Sequence, residues 1–181
     1  KFDDLAARFA EALASVGGET IQAESLDAAL DCLGELLQSL DAKRVVANDE
    51  PPLSDRDLPA RWPEIEWQIV GRTAGDLRAF SASADVGLSG GDAALAETGS
   101  VVVSSGPGKS RLATLLPPVH VALVSTTKLA TDIFTWTTER QKTRPASMTV
   151  ITGPSKTADI EQVLAIGVHG PKRFVVILYR A

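Results

Sequence analysis

At 181 residues, 44% hydrophobic and 23% charged, the chain is long enough for one well-filled core, leaves little for a second, and has no apolar run near the ~20 residues of a membrane span. A formal charge of −5 without a basic cluster argues against nucleic acid as a partner, because that affinity comes largely from Lys and Arg neutralising phosphates. The single cysteine, Cys32, excludes an internal disulfide and an iron–sulfur cluster held by this chain alone, since such clusters take several thiolates.

Phe2, Leu5, Ala6, Phe9, Leu13 and Val16 recur at helical spacing and Gly17-Gly18 ends the run, which predicts an amphipathic first helix. A basic segment followed by a purely apolar one, the mark of a signal peptide, is not what this stretch shows, and a cytoplasmic location is the expectation. Thr20 to Ala23 reads as a short strand, and Ser25 as the N-cap of a helix bearing Leu26, Leu30, Leu33, Leu36, Leu37 and Leu40. Lys43 to Ala47 is the next strand and leaves into a polar loop at Asn48-Asp49-Glu50-Pro51-Pro52. Ile65 to Val70 alternates like a half-exposed or edge strand, and Gly75 to Ser83 is a short helix. Residues 1–84 therefore supply β-α units, and residues 85–181 form the motif-bearing half of a single domain.

That second half opens with Val86 and the glycine-rich run Gly87 to Ser100, which holds Gly90, Gly91, Asp92, Glu97, Thr98 and Gly99; glycine at this density lets backbone approach a ligand or another strand closely. Val101-Val102-Val103 is a buried strand, Ser104 to Arg111 a polar loop with two cations, and Pro117-Pro118 breaks the chain before a strand over Val121 to Val124. Glu97, Lys109, Arg111 and His120 are expected to converge near strand ends. Ser125-Thr126-Thr127 predicts the cap of a helix over Lys128 to Glu139. The last unit reads as a strand over Met148 to Thr152, a turn over Gly153 to Thr157, a helix over Ala158 to Ala165 and a strand over Phe174 to Tyr179. Such alternation predicts an α/β fold, a mostly parallel sheet covered on both faces, with ligands at the carboxyl ends of its strands.

Each constellation has a structural reading beside the functional one. Ser155, Lys156 and Thr157 before a helix opening with Ala158-Asp159-Ile160-Glu161 suit either an anion at the helix N-terminus or an ordinary N-cap. Gly106-Pro107-Gly108-Lys109-Ser110 is not a P-loop, because Val103 stands where that pattern needs its first glycine, and nucleotide hydrolysis is not supported. Glu97 fits an acid–base group or nucleophile, or a carboxylate accepting backbone bonds in a tight turn. His120 and His169 are the only histidines, neither spaced with further ligands, so no metal site is expected. His169, in Gly167 to Arg173, presents an imidazole beside two cations, suited to a carboxylate or phosphate, or else bonds a carbonyl in its turn. Ser104 and Ser105 lack a nucleophile-elbow pattern.

The segments Gly90 to Ser100, Arg111 to His120, Gly153 to Glu161 and Gly167 to Pro171 resemble the LUD-domain family of the lactate utilisation protein C (LutC/YkgG) type. The resemblance implies a Rossmann-like three-layer α/β/α sandwich, similar to sugar-phosphate isomerases, CoA transferases and 5-formyltetrahydrofolate cyclo-ligase. It also implies a subunit of a lactate-oxidising system with no cofactor of its own, iron–sulfur clusters being expected in partner chains. Glu97, His120 and His169 are the candidate catalytic residues, and Gly90, Gly91, Asp92, Thr98, Gly99, Lys109, Arg111, Ser155, Lys156 and Thr157 the candidate binding residues; on the subunit reading the region of Glu97, Arg111, His120 and His169 either binds the small carboxylate or forms the docking face. The alternative is a free-standing enzyme or binding module for a phosphorylated, folate or CoA-type anion, with Glu97 as acid–base group or nucleophile and Lys109, Arg111 and Lys156 as clamp.

Overall fold

A computed structural model describes residues 2–139, 145–158 and 164–181. In chain order the elements are α1 (Phe2–Ser15), β1 (Glu19–Ala23), α2 (Leu26–Ser39), β2 (Arg44–Ala47), α3 (Leu58–Arg61), β3 (Glu66–Ile69), α4 (Leu77–Ser83), β4 (Val86–Ser89), β5 (Ala93–Leu95), β6 (Ser100–Ser104), α5 (Arg111–Leu115), β7 (Val119–Ser125), β8 (Leu129–Ala130), α6 (Ile133–Glu139), β9 (Met148–Ile151), β10 (Lys156–Ala158), β11 (Leu164–Ile166) and β12 (Arg173–Tyr179). Six strands pair in parallel in the order β1-β12-β7-β4-β2-β3, with β3 at an edge as its alternating sequence predicts.

Side-chain alternation along these strands sends two sets of apolar groups to opposite faces. Val45, Ala47, Leu88, Val121, Leu123, Val175 and Ile177 meet the leucine face of α2, whose N-cap Ser25 accepts from the Ala28 amide as expected. On the other face Ala122, Val124, Phe174, Val176 and Leu178 meet Phe9 and Leu13 of α1 together with Ala94, Val101 and Val103. The last three belong to a second sheet, β8-β5-β6-β9, which takes up part of a layer expected to be helical. Its own alternation turns Ala93, Leu95 and Val102 outward beneath Trp136 of α6. The architecture is thus the expected mixed α/β layering around a parallel sheet, with a small sheet inserted on one face.

Two predicted elements are corrected. The helix expected from Lys128 begins at Ile133, because Thr126–Lys128 forms one 3-10 turn and Leu129–Ala130 pairs with β5. Asp132 then caps α6 by accepting from the Thr135 amide at 2.7 Å. The helix expected over Ala158 to Ala165 is replaced at its described ends by the antiparallel pair β10 and β11, and β9 joins the second sheet rather than the main one. The final β-α-β unit is therefore not formed. Asp159 and Glu161, read as its first-turn acids, lie outside the described residues.

Gly87 lies where β4 passes under α5, and a Cβ there would collide with the Ala113 carbonyl oxygen, a backbone atom that cannot turn aside. Gly87→Ala is predicted to destabilise the fold by about 3 kcal/mol, the upper range for overpacking. Urea unfolding of the two proteins at neutral pH measures it.

Candidate functional site

The sheet order places a reversal between β2 and β4: the chain leaving β2 goes on to β3 on one side, whereas the main-sheet strand after β4 is β7 on the other. In open parallel sheets the crevice outside the carboxyl ends at such a point is where ligands bind. The residues that follow β2, β4 and β7 meet there.

From the β2 end comes Glu50, 6% exposed, whose Oε1 accepts from the Asn48 Nδ2 at 3.0 Å and from the Gly90 amide at 3.1 Å. From the β4 end comes Asp92. Between them sits Lys109, its Nζ 3.0 Å from Glu50 Oε2 and 3.2 Å from Asp92 Oδ1. Lys128, beyond β7, donates to the Gly91 carbonyl at 2.6 Å. Asn48 accepts from the Ser110 amide at 2.9 Å, which fixes the end of the Lys109 loop. Gly90 and Gly91 are small of necessity: a Cβ on the first would stand 2.5 Å from the Pro51 carbonyl oxygen, and on the second 2.9 Å from both Val101 and Val124. Next to the cluster opens a cleft of about 490 Å³ lined by Asn48, Asp49, Leu53, Ser54, Arg72 and Thr73. Arg72 bonds Asp49 Oδ2 at 2.7 Å.

The two lysines differ in charge state. Burial pushes the Lys109 ammonium down, but Glu50 and Asp92 together outweigh it and hold the group above its usual range. For Lys128 burial dominates and lowers the amine, against smaller upward pulls from Asp92 and then Glu50, with neighbouring Lys109 adding the smallest, downward push. The cluster thus pairs one firmly charged cation with one that gives up its proton more readily, a set able to grip a small carboxylate or move a proton beside it.

Of the residues predicted from sequence, Gly90, Gly91, Asp92 and Lys109 come together here. Glu97 and Thr98 are exposed at the closed end of the β5–β6 hairpin, while Asp92 and Ser104 mark its open end, so the hairpin's length separates Glu97 from Lys109. Gly99 (φ +63°) rests against the backbone of Leu13. Arg111 is exposed at the start of α5. Lys156 donates to the Val16 carbonyl at 2.6 Å, tying its loop to the end of α1, with Ser155 and Thr157 beside it. His120 is fully buried: its Nε2 lies 2.8 Å from Ser89 Oγ, its ring stacks on Phe174 with centroids 5.0 Å apart, and burial holds its pKa down at about 3. His169 is exposed, at the rim of a cavity that His120 also lines. Sequence reading missed Glu50, Asn48, Lys128 and Arg72; the signal available for the first two was their place directly after a parallel strand.

An iron–sulfur cluster has no thiolate set here: Cys32 lies alone on α2, and no group of three or more His, Cys, Asp or Glu able to hold a metal ion occurs among the described residues. Nor is any helix among them long and apolar enough to cross a membrane.

The LUD domain family model matches residues 6–179. The chain is 31% identical over 162 residues to lactate utilization protein C of Halalkalibacterium halodurans, covering 86% of this chain and 69% of that protein. It is 38% identical over 101 residues to lactate utilization protein C of Bacillus subtilis, covering 52% of this chain and 42% of that one. The chain thus spans between about two fifths and two thirds of the length of these relatives. A crystal structure of a DUF162 family protein from Deinococcus radiodurans superposes with a TM-score of 0.66 over 99% of this chain and 98% of that chain, at 16% identity, which shows a shared fold.

Two measurements check this geometry. Lys109→Met leaves Glu50 buried without its cation and is predicted to cost about 3–5 kcal/mol in urea unfolding; adding Glu50→Gln recovers most of that loss. The second concerns His120. Below pH 6.5 the unfolded chain takes up a proton that the folded His120 refuses, so its full contribution is present above pH 6.5 and falls by about 1.4 kcal/mol per unit as pH drops towards 3. Between pH 6.5 and 5 the wild type is predicted to lose about 2 kcal/mol more than His120→Gln.

Proposed function

The chain belongs to the LUD-domain family, and on that premise we propose that it acts in lactate utilisation, as a cytoplasmic subunit of a system that oxidises L-lactate to pyruvate beside iron–sulfur partner chains. The observation that carries this reading is the similarity, over most of the chain, to proteins named lactate utilization protein C. The single cysteine supports a division of labour in which the electron-carrying clusters sit on other chains.

In this role the site at the β2/β4 reversal takes the small carboxylate. Lys109 is matched by Glu50 and Asp92, so Lys128 is the cation left to meet an incoming anion; among the described residues no carboxylate lies within ion-pair distance of it. Exchange of the Gly91 carbonyl for a carboxylate oxygen would give that ammonium a charged partner and hold it protonated. A second reading, a free-standing module for a phosphorylated, folate or CoA-type anion, is favoured by the cleft of about 490 Å³, larger than lactate needs, with Arg72 on its wall.

The test is genetic and biochemical together. In a strain lacking the full-length gene, growth on lactate is expected to fail while growth on pyruvate persists, and Lys128→Met is expected to restore lactate growth poorly or not at all. Affinity capture of the tagged protein from lactate-grown cells is expected to yield material with iron-dependent absorbance and lactate-dependent dye reduction. Normal lactate growth of the deletion strain overturns the reading. Colourless captured protein that binds CoA esters or folates in a thermal-shift screen moves it to the second.

A further inference from the structure

Lys128 stands at a fixed point of the chain. Thr126–Lys128 makes a 3-10 turn directly after β7, Ser125 Oγ accepts from the Thr127 amide at 3.2 Å, and the next two residues, Leu129–Ala130, pair with β5. The backbone is thus held on both sides of the lysine. Its side chain reaches across to the link between β4 and β5, where Nζ donates to the Gly91 carbonyl at 2.6 Å. That acceptor is neutral, and among the described residues no carboxylate lies within ion-pair distance of Lys128. The side chains of Lys109 and Asp92 in the same cluster are 25% and 28% exposed, which leaves the cluster open to a small molecule from solvent.

The surroundings of a lysine decide what its amine can do. Lys43 is exposed and held protonated by Asp41, 2.6 Å away, and Lys109 is held protonated by Glu50 and Asp92. At Lys128 burial prevails over the more distant acids and favours the free amine. A lysine that is partly desolvated and stands near another cation is an activated nucleophile towards carbonyl carbon. Lys128 meets both conditions, with Lys109 as the second cation. A hydroxy acid offers such an amine only its carboxylate. A 2-oxo acid carries, on the atom bonded to the carboxylate carbon, an electrophilic carbonyl, so an acid drawn to this cluster by its charge brings that carbon to the amine.

We propose that Lys128 is a covalent carbonyl-binding residue, whose Nζ condenses with a small 2-oxo acid of the pyruvate class to form an imine. The Nζ lone pair bonds the carbonyl carbon, the carbonyl oxygen takes up a proton and the nitrogen gives one up. From the resulting carbinolamine the oxygen leaves as water while the C=N bond forms. Amine and oxo acid thus yield imine and water, with no oxidant or reductant. The inference deepens the lactate reading, on which it rests for the identity of the acid: the product of that oxidation becomes a covalent ligand of the same site.

The experiment incubates the folded chain with pyruvate and cyanoborohydride at neutral pH, which reduces an imine to a stable secondary amine, and maps the modified lysines by peptide mass spectrometry. Lactate and acetone serve as comparisons. Labelling of Lys128 is expected to saturate with pyruvate, while Lys43 labels weakly and in proportion to concentration. Lactate, which has no carbonyl carbon to attack, gives no label, and acetone, which has no carboxylate, gives no saturation. Lys128→Arg keeps a charged donor for the Gly91 carbonyl, so its melting temperature stays near that of the wild type and the saturable label is lost. The proposal is overturned if pyruvate labels Lys128 no more than Lys43, or if Lys128→Arg retains the saturable label. Should Lys128→Arg fail to fold, the mapping on the wild-type chain decides. Saturable labelling with normal lactate growth of the deletion strain removes the lactate reading and keeps the imine; failed lactate growth without labelling removes the imine alone.

Discussion

Lys109 is the tie on which the site depends. Its ammonium bridges Glu50, which follows β2, and Asp92, which follows β4, and it does so from a loop that itself leaves β6 of the other sheet. Three connections that share no local sequence are thereby fixed against one another. An ion pair at this depth adds little net stability over an apolar filling of the same shape, but the loss of one member leaves a charge stranded in low dielectric. The bridge therefore enforces a specific arrangement of loops, and the Asn48 bonds to Glu50 and to the Ser110 amide leave that arrangement few alternatives.

The second sheet explains why the glycines are where they are. By laying β5 and β6 on the main sheet directly after β4, the chain must turn within Gly90 and Gly91 while the Pro51 carbonyl presses on the first and Val101 and Val124 on the second. Any side chain at these two positions would push the second sheet away from the first, or the Glu50 loop away from Asp92. The density of glycine that suggests ligand contact in the sequence is thus in large part a packing requirement, and the Gly90 amide serves the site indirectly, by holding the Glu50 carboxylate.

Much of the main sheet and both of its long helices were legible in the residues, because Val-rich runs and leucines at helical spacing report burial directly. What was not legible depended on partners remote in sequence. Ala93 to Leu95 has no strand-like composition and becomes β5 only through pairing with β6 and β8. Lys156 and Thr157 looked like the approach to a helix, yet their backbone pairs with β11 and the Lys156 ammonium goes to α1. Of the site, the half carried by the glycine-rich run and by Lys109 could be read, whereas Glu50 looked like one acid in a polar loop, and Lys128 like the start of a helix. Burial distinguishes these two, and burial of a loop residue is a property of the assembled fold.

His120 shows how a motif residue serves without carrying charge. With a pKa near 3 it remains neutral through the physiological range, which is what allows it to stack on Phe174 inside an apolar layer. Its Nε2 holds Ser89 Oγ, and the next residue, Gly90, gives its amide to Glu50. The ring thus supports, through one strand residue, the carboxylate that orients Lys109. A charged imidazole would need a counterion that this face of the sheet does not provide, and the resulting displacement would fall on the β4 terminus where the cluster is assembled. Neutrality of the histidine and integrity of the ion cluster are in this sense one requirement, met by the same burial.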